Sequence, residues 1–163
     1  MGVEEMRPVW IIGIVLAIVI IIAAFVIAVN DSKSGNGGGA ETLRVEASDG
    51  TRTIVFELND SPASKSFVGM MPFSATVSDY STNEKVFDPP ARLSTSDGIQ
   101  EACPAGSIAY FSPWGNVAMY YGDAPPYAGL YLMGHAVEGG EHIGSLAGTV
   151  DFKRVRCLIS AIR

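Results

Sequence analysis

The chain has 163 residues and an acidic balance, with 11 Lys and Arg against 17 Asp and Glu and a formal net charge of −6 at pH 7. This balance argues against a nucleic acid partner, because binding to a phosphate backbone relies on clustered cationic side chains. The length leaves room for one domain of ordinary size behind a terminal segment. No Ser-His-Asp order, Walker loop or paired-carboxylate motif occurs, so we predict no particular reaction and no cofactor.

Residues 9–29 form a run without a charged or strongly polar side chain, which follows a short lead at 1–8. At about 1.5 Å per residue, a helix of this length reaches roughly 30 Å, the thickness of the hydrocarbon core of a bilayer. The apolar run is longer than the ~7–15 residues of a secretory signal and has no small-x-small cleavage site after it. We therefore expect an uncleaved transmembrane helix with the lipid bilayer as its partner. The short N-terminal tail favours the N-terminus inside and the domain outside the cytoplasm.

Residues 30–41 are rich in Gly and Ser, a composition typical of a flexible linker. Behind this linker we expect one folded domain over residues 42–155. Residues 156–163 include Arg156 and Arg163 and form a basic tail, which is most simply a solvated chain end.

Alternation of apolar and polar residues begins at Thr42 and predicts a β-hairpin around the turn Asp49-Gly50. A helix is predicted next, because Asp60 or Ser61 can cap it and Pro62 suits its first position. Pro72 ends this helix, and alternation then predicts a strand over residues 73–79.

Residues 80–105 are predicted to be irregular, because they contain several turn residues and no sustained periodicity. Further strands are predicted at 107–111, 117–121, 130–133 and 149–155, with a short helix at 136–146. Many short strands and two short helices around one core are typical of a mainly β fold, a small closed antiparallel barrel.

Several segments of this domain occur in an order that is informative as a set. They are the opening hairpin, the helix at 61–71 closed by Pro72-Phe73, the turn Asn83-Glu84-Lys85 with Phe87, the strand 106–110, the aromatic strand ending in Tyr120-Tyr121-Gly122, and the strand 130–134 before a last helix and strand. In this order they resemble the small bacterial and archaeal cyclophilin-like domains, which are distant from the true prolyl isomerases. The resemblance covers residues 42–155 and implies a cyclophilin-type barrel.

The resemblance gives little support for catalysis. True cyclophilins isomerise X-Pro bonds with an Arg in a Phe-x-Arg segment, supported by a Gly-Ser-Gln-Phe-Phe strand and a Trp. Neither segment occurs here, since Arg92 follows Pro89-Pro90 in a loop and Trp114 lies in a turn. We therefore favour a non-catalytic module that binds a peptide or small ligand. A divergent prolyl isomerase and a docking domain for an envelope protein remain alternatives.

Candidate residues for a ligand groove come from the loops. Trp114 and Tyr127 lie in segments rich in Pro and Gly, and Glu84 is the most plausible acidic member of such a groove. Arg92 and Tyr121 complete the set. Plain packing of the aromatic rings, with a solvated Glu84, is the alternative.

A weaker hypothesis concerns a metal site at His135, Glu138 and His142, which would share one face of an unbroken helix. Gly139 and Gly140 interrupt that helix, so we favour solvated side chains over a metal site. Cys103 and Cys157 form a disulfide in an oxidising compartment or stay separate thiols, and the sequence leaves both alternatives open.

Overall fold

The computed structural model describes residues 42–96, 98 and 100–155. The elements of this part are β1 (Leu43–Ser48), β2 (Thr53–Leu58), α1 (Pro62–Gly69), β3 (Phe73–Tyr80), β4 (Glu84–Phe87), β5 (Ser107–Phe111), β6 (Asn116–Tyr120), β7 (Leu130–Glu138), a 3-10 helix (Gly140–Ser145) and β8 (Gly148–Val155). The predicted span 9–29, linker 30–41 and tail 156–163 lie outside the described residues. Within the described ranges, no helix is long and apolar enough to cross a membrane.

The strands close into one antiparallel barrel in the order β1-β2-β7-β5-β6-β4-β3-β8, with β8 paired back to β1. Eight strands leave an interior of the width that side chains can fill. The predicted mainly β, closed antiparallel barrel with short helices is therefore confirmed for the domain.

The opening hairpin forms where alternation predicts it. Val45 lies opposite Phe56 and Ala47 opposite Ile54, and all four side chains are buried. The Asp49 carboxylate accepts hydrogen bonds from the backbone N–H of Thr51 at 2.9 Å and of Arg52 at 2.7 Å. These backbone hydrogen bonds hold the pKa of Asp49 below its ordinary value.

Helix α1 contributes an aromatic side chain to the barrel core. Ser61 is its N-cap and accepts a hydrogen bond from the backbone N–H of Ser64. The fully buried Phe67 ring lies about 6 Å, centroid to centroid, from three strand rings of the core, namely Phe73, Phe87 and Phe152 (5.8, 6.2 and 6.1 Å). Packing of these rings fixes the helix against the barrel.

Three predicted elements differ from the structure. Residues 84–87, predicted to be irregular, form β4, because pairing with β3 and β6 overrides a sequence that resembles a turn. Strand β7 continues to Glu138 instead of stopping at 133, because its second half pairs with β2. The helix predicted at 136–146 is therefore wrong in its first part, and only the 3-10 helix Gly140–Ser145 remains.

Strands β5 and β6 are buried on both faces. Ile108 and Met119 point into the main core, whereas Ala109, Ala118 and Tyr120 belong to a second apolar cluster on the outer face. Cys103 and Leu130 complete that cluster. The segments around β5 and β6 thus build a layer outside the barrel wall, and the candidate site lies in this layer.

Candidate functional site

A cavity of about 380 Å³ lies on the outer face of strands β4 and β6. These two strands contribute Glu84 and Val86 from β4 and Asn116, Ala118 and Tyr120 from β6. They alternate with the inward-facing side chains of each strand, so the period of two places every second residue at the cavity. The volume falls within the range of sites for small ligands.

Aromatic rings form the wall of this cavity. The centroid of the Trp114 ring lies 5.3 Å from that of Tyr80 and 5.4 Å from that of Phe111, and Phe111 lies 5.9 Å from Tyr127. Tyr80, Trp114 and Tyr127 remain 46%, 58% and 64% exposed. Large rings left this open to solvent have apolar surface available for a ligand.

The loop that carries Pro125 and Tyr127 is fixed by backbone and side-chain hydrogen bonds. Cys103 and Ala124 exchange backbone hydrogen bonds of 2.9 and 2.8 Å. The Asp123 carboxylate accepts a hydrogen bond from the backbone N–H of Ala105 at 2.9 Å, and Asn83 donates to the Asp123 carbonyl at 3.0 Å. These contacts hold the cavity wall in place without a ligand.

Glu84 is the carboxylate of the cavity. It lies directly opposite Tyr120 in the β4–β6 register and interacts with the Tyr120 hydroxyl by a hydrogen bond. Burial raises the pKa of Glu84, and this hydrogen bond opposes the rise. Burial, followed by the charge of Glu84, raises the pKa of Tyr120 above its ordinary value, so Tyr120 is a neutral hydrogen-bond donor to the carboxylate.

Cys103 lies beneath this pair and is fully buried. Burial, with smaller effects from Glu84 and Glu101, raises the pKa of its thiol to about 11. A reactive cysteine needs access and a stabilised thiolate. Cys103 therefore packs as an apolar side chain and is unsuited to be a nucleophile.

Asn116 adds an unsatisfied polar atom at the cavity. Its side-chain amide oxygen is buried and has no hydrogen-bond partner among the described residues. A buried polar group without a partner costs free energy. The amide oxygen is therefore an acceptor that a ligand donor in the cavity would satisfy.

The residues predicted for a groove separate into two groups. Glu84, Trp114 and Tyr127 all line the cavity. Arg92 does not line it, and its guanidinium donates to the Ser112 carbonyl at 2.8 Å, which supports the turn that carries Trp114. Tyr121 follows Tyr120 in the chain and lines a different cavity.

The sequence analysis missed Tyr80 and did not select Phe111, Tyr120 or Asn116. Phe111 and Tyr120 lie in the predicted strands 107–111 and 117–121, where alternation places about half of the side chains in the core. The sequence does not show which half faces the outside, because that depends on the pairing of β4 with β6. Tyr80 reaches the cavity only through the β3–β4 hairpin.

The second cavity, of about 450 Å³, is lined by Ala105, Gly106, Tyr121 and residues 136–141. The Tyr121 hydroxyl lies 3.4 Å from an Asp79 carboxylate oxygen, which in turn lies 2.7 Å from the Lys85 ammonium. The Tyr121 hydroxyl thus already has a partner within the chain.

The three residues of the metal hypothesis lie on two different elements. His135 and Glu138 lie on strand β7 and not on a helix, where they are paired with Glu57 and Val55 of β2 across a register shift. His142 lies in the 3-10 helix beyond, and its Nε2 is 3.5 Å from Glu141. Across the described ranges, no group of three or more His, Cys, Asp or Glu residues has the geometry of a metal site.

The disulfide hypothesis stays a prediction. Cys103 is a free, buried thiol among the residues described. Its predicted partner, Cys157, lies outside them.

The fold and the cavity together define a class of protein, a small closed antiparallel barrel with a pocket on its outer wall. Residues 47–154 match the sequence model of the Cyclophilin-like family. Since this match covers more than half of the residues, the chain belongs to the Cyclophilin-like family.

A solved structure has the same fold. The hypothetical protein AF2241 from Archaeoglobus fulgidus, determined in solution, superimposes with a TM-score of 0.60 at 17% sequence identity, over 73% of this chain and 99% of the other. At this identity the likeness extends to the fold alone. No curated protein matches the chain.

Proposed function

We propose that the chain is a membrane-tethered binding module whose barrel binds a peptide or small ligand outside the cytoplasm. The observation that carries the proposal is the aromatic cavity on the outer face, with Trp114 and Tyr127 more than half exposed. Trp and Tyr rings contribute much of the binding energy where proteins recognise partners. Their exposure leaves apolar area that a ligand would remove from water.

The shape of the cavity favours binding by a preformed site. Hydrogen bonds between Cys103 and Ala124 and around Asp123 hold its loop. A preformed wall lowers the entropic cost of ordering the site on binding. The volume of about 380 Å³ suits one or two side chains of a peptide or a molecule of similar size.

A catalytic role has little support at this cavity. None of the described residues lining it is an Arg, Lys or His, and Arg92 donates to the Ser112 carbonyl elsewhere. The buried thiol of Cys103 is unsuited to nucleophilic attack. A binding module therefore agrees better with these side chains than a prolyl isomerase does.

The membrane tether and the outward orientation are proposals from the sequence. The apolar run 9–29 has the length of a span, and the Gly- and Ser-rich segment 30–41 has the composition of a flexible linker. Such a linker would keep the barrel near the bilayer surface. Ligands or exposed segments of other envelope proteins at that surface would then meet the cavity at a raised local concentration.

The experiment uses the full chain, purified in a maltoside detergent, with a Trp10→Phe substitution that leaves Trp114 as the one tryptophan of the sequence. A panel of short peptides and small aromatic or aliphatic compounds is titrated while Trp114 fluorescence is recorded. Binding at the cavity should change the emission and should be weakened at least about tenfold by Tyr127→Leu. The exposed Val137 lies outside this cavity, so Val137→Ala is the control. If no compound changes the emission, or if both variants act alike, the proposal is wrong.

A further inference from the structure

We infer that the cavity takes an organic cation with an alkylated ammonium head, held between the aromatic wall and the Glu84 carboxylate. This inference rests on the proposed binding function and specifies the chemistry of its ligand. The head group belongs either to a free small molecule or to a methylated lysine side chain of a peptide.

The first argument is the charge of the lining. Glu84 is the one Asp or Glu among the described lining residues, and these include no Lys, Arg or His. Tyr120 hydrogen-bonds to Glu84 and is kept neutral by a raised pKa. The cavity therefore has a net negative charge where it is partly shielded from water, and a cation is favoured over an anion or a neutral molecule.

The second argument is that the nearest cationic side chains are held elsewhere. Lys85 points to the opposite side of β4, where its ammonium lies 2.7 Å from Asp79. Arg92 donates to the Ser112 carbonyl at 2.8 Å. Neither side chain lines the cavity, so Glu84 has no cationic partner there within the described part of the chain.

The third argument is the arrangement of the rings. The planes of Tyr80 and Trp114 meet at 83°, those of Phe111 and Trp114 at 79°, and those of Phe111 and Tyr127 at 61°. All four of these residues line the cavity, and rings turned so far from one another differ in the directions of their faces. The faces of aromatic rings attract cations, and recognition of quaternary ammonium groups by several rings is an established use of this attraction.

The rest of the lining selects among cations. Val86, Ala118 and Leu130 are apolar and leave a strongly hydrated primary ammonium without partners on that wall, while the amide oxygen of Asn116 is a polar acceptor beside them. One carboxylate is too few for a divalent metal ion, which prefers several oxygen ligands. An alkylated ammonium, which has a weakly hydrated apolar surface and one charge, satisfies both the walls and Glu84.

The test compares choline with 3,3-dimethyl-1-butanol, in which a carbon atom replaces the charged nitrogen at nearly the same shape. The protein is the full chain with Trp10→Phe in maltoside detergent, because detergents with a choline head would compete. We expect choline to bind at least about tenfold more tightly than the alcohol. Glu84→Gln should lower the affinity for choline by about tenfold and leave that for the alcohol unchanged.

Matched variants keep the test falsifiable. Glu138→Gln removes one carboxylate outside this cavity and should change neither affinity. Tyr127→Phe keeps a ring face and should bind choline nearly as the parent does, whereas Tyr127→Leu should lose affinity at least about tenfold. If Glu84→Gln does not fold, the two Tyr127 variants still test whether choline binds against a ring face.

The source of the head group is read from a second pair of probes, a short peptide with trimethyllysine and the same peptide with norleucine. Tighter binding of the trimethyllysine peptide than of choline identifies a peptide source, and the reverse identifies a free small molecule; both support the inference. Equal binding of choline and the alcohol overturns the inference but leaves the binding function intact. If only neutral compounds of the panel bind, the inference is again overturned and the binding function is left intact. If neither these probes nor the panel bind, both proposals are wrong.

Discussion

Glu84 should make the stability of the barrel depend on pH, because burial raises its pKa in the folded state above the ordinary value of 4.5. Between these two pKa values the folded state binds more protons than the unfolded state, so the free energy of unfolding falls as pH rises through this window. This loss of unfolding free energy persists at neutral pH. Glu84→Gln removes it, and we expect the variant to be more stable than the parent at pH 8 and equal to it at pH 4. The difference should be small, about 0.5 kcal/mol or less, since solvent screens a half-buried carboxylate.

Urea unfolding at the two pH values, followed by circular dichroism, measures this difference. Glu138→Gln changes an exposed carboxylate outside the cavity and is the matched control. A stabilisation by Glu84→Gln that is larger at pH 4 than at pH 8 would contradict the role of burial at this site.

The Cys103 thiol should be almost inert in the folded protein. Its pKa of about 11, against an ordinary value of 9.0, lowers the thiolate population at neutral pH by about a hundredfold. Complete burial adds a steric barrier. In a Cys157→Ser background, iodoacetamide should therefore label Cys103 at least ~100 times more slowly in buffer than in guanidinium chloride, as followed by mass spectrometry. Similar rates in both solvents would show that the outer layer opens readily.

At the scale of elements, Gly134 in β7 is the position where the sheet has no room for a side chain. A Cβ there would collide with the Glu57 carbonyl oxygen and lie 2.8 Å from the Leu58 Cα in β2. Both contacts involve backbone, which cannot rotate away, so Gly134→Ala should destabilise the barrel by about 1–3 kcal/mol or more. The denaturant midpoint measures this effect.

Gly69 at the end of α1 is the matched control for that substitution. Outside its chain neighbours and the backbone of its own helix, no atom lies within 4 Å of a Cβ built there, and its φ is not positive. Gly69→Ala should therefore stabilise the protein by about 0.4–1 kcal/mol, mainly by restricting the unfolded chain. Equal effects of the two alanines would contradict the close approach of β7 to β2.

Elements that form from local sequence were predicted, and elements that depend on distant strand pairing were not. Local alternation was enough to predict the β1–β2 hairpin, and Ser61 with Pro62 was enough to predict the start of α1. Strand β4 was missed because its four residues begin in a turn-like sequence and gain their hydrogen bonds from distant strands. The same distant pairing places Glu84 opposite Tyr120, so the site depends on a register that no local pattern encodes.

The residues of the cavity were likewise predicted only where a local sequence pattern marks them. Trp114 and Tyr127 were found because exposed aromatic residues in Pro- and Gly-rich loops are a local signal. Tyr121 was chosen over its neighbour Tyr120, and the two point to opposite faces of the chain. Only the assembled barrel determines which of the two faces outward.

At the scale of the whole molecule, closure of the barrel restricts how it can bind. Each of the eight strands described has a neighbour on both sides. A closed barrel offers no free edge, so a peptide cannot be recognised by adding a strand to this sheet. Recognition must therefore use the wall or the loops, which agrees with a cavity on the outer face of β4 and β6.

The proposed arrangement of anchor, linker and barrel is tested on the full chain in bacterial spheroplasts. We expect the protein to stay with the membrane after alkaline carbonate washing, because a span of the length of 9–29 leaves a bilayer only at high free-energy cost. Protease added outside should cut in the linker 30–41 and release the barrel as a fragment detected with an antibody, since a packed domain resists cleavage better than a Gly-rich segment. Insertion of three Arg residues directly after position 29 supplies the control, because added positive charge on that side should oppose the N-in orientation and lower the release. Release from the parent chain only after lysis would place the barrel inside the cell, whereas loss from the membrane on washing would disprove the anchor itself.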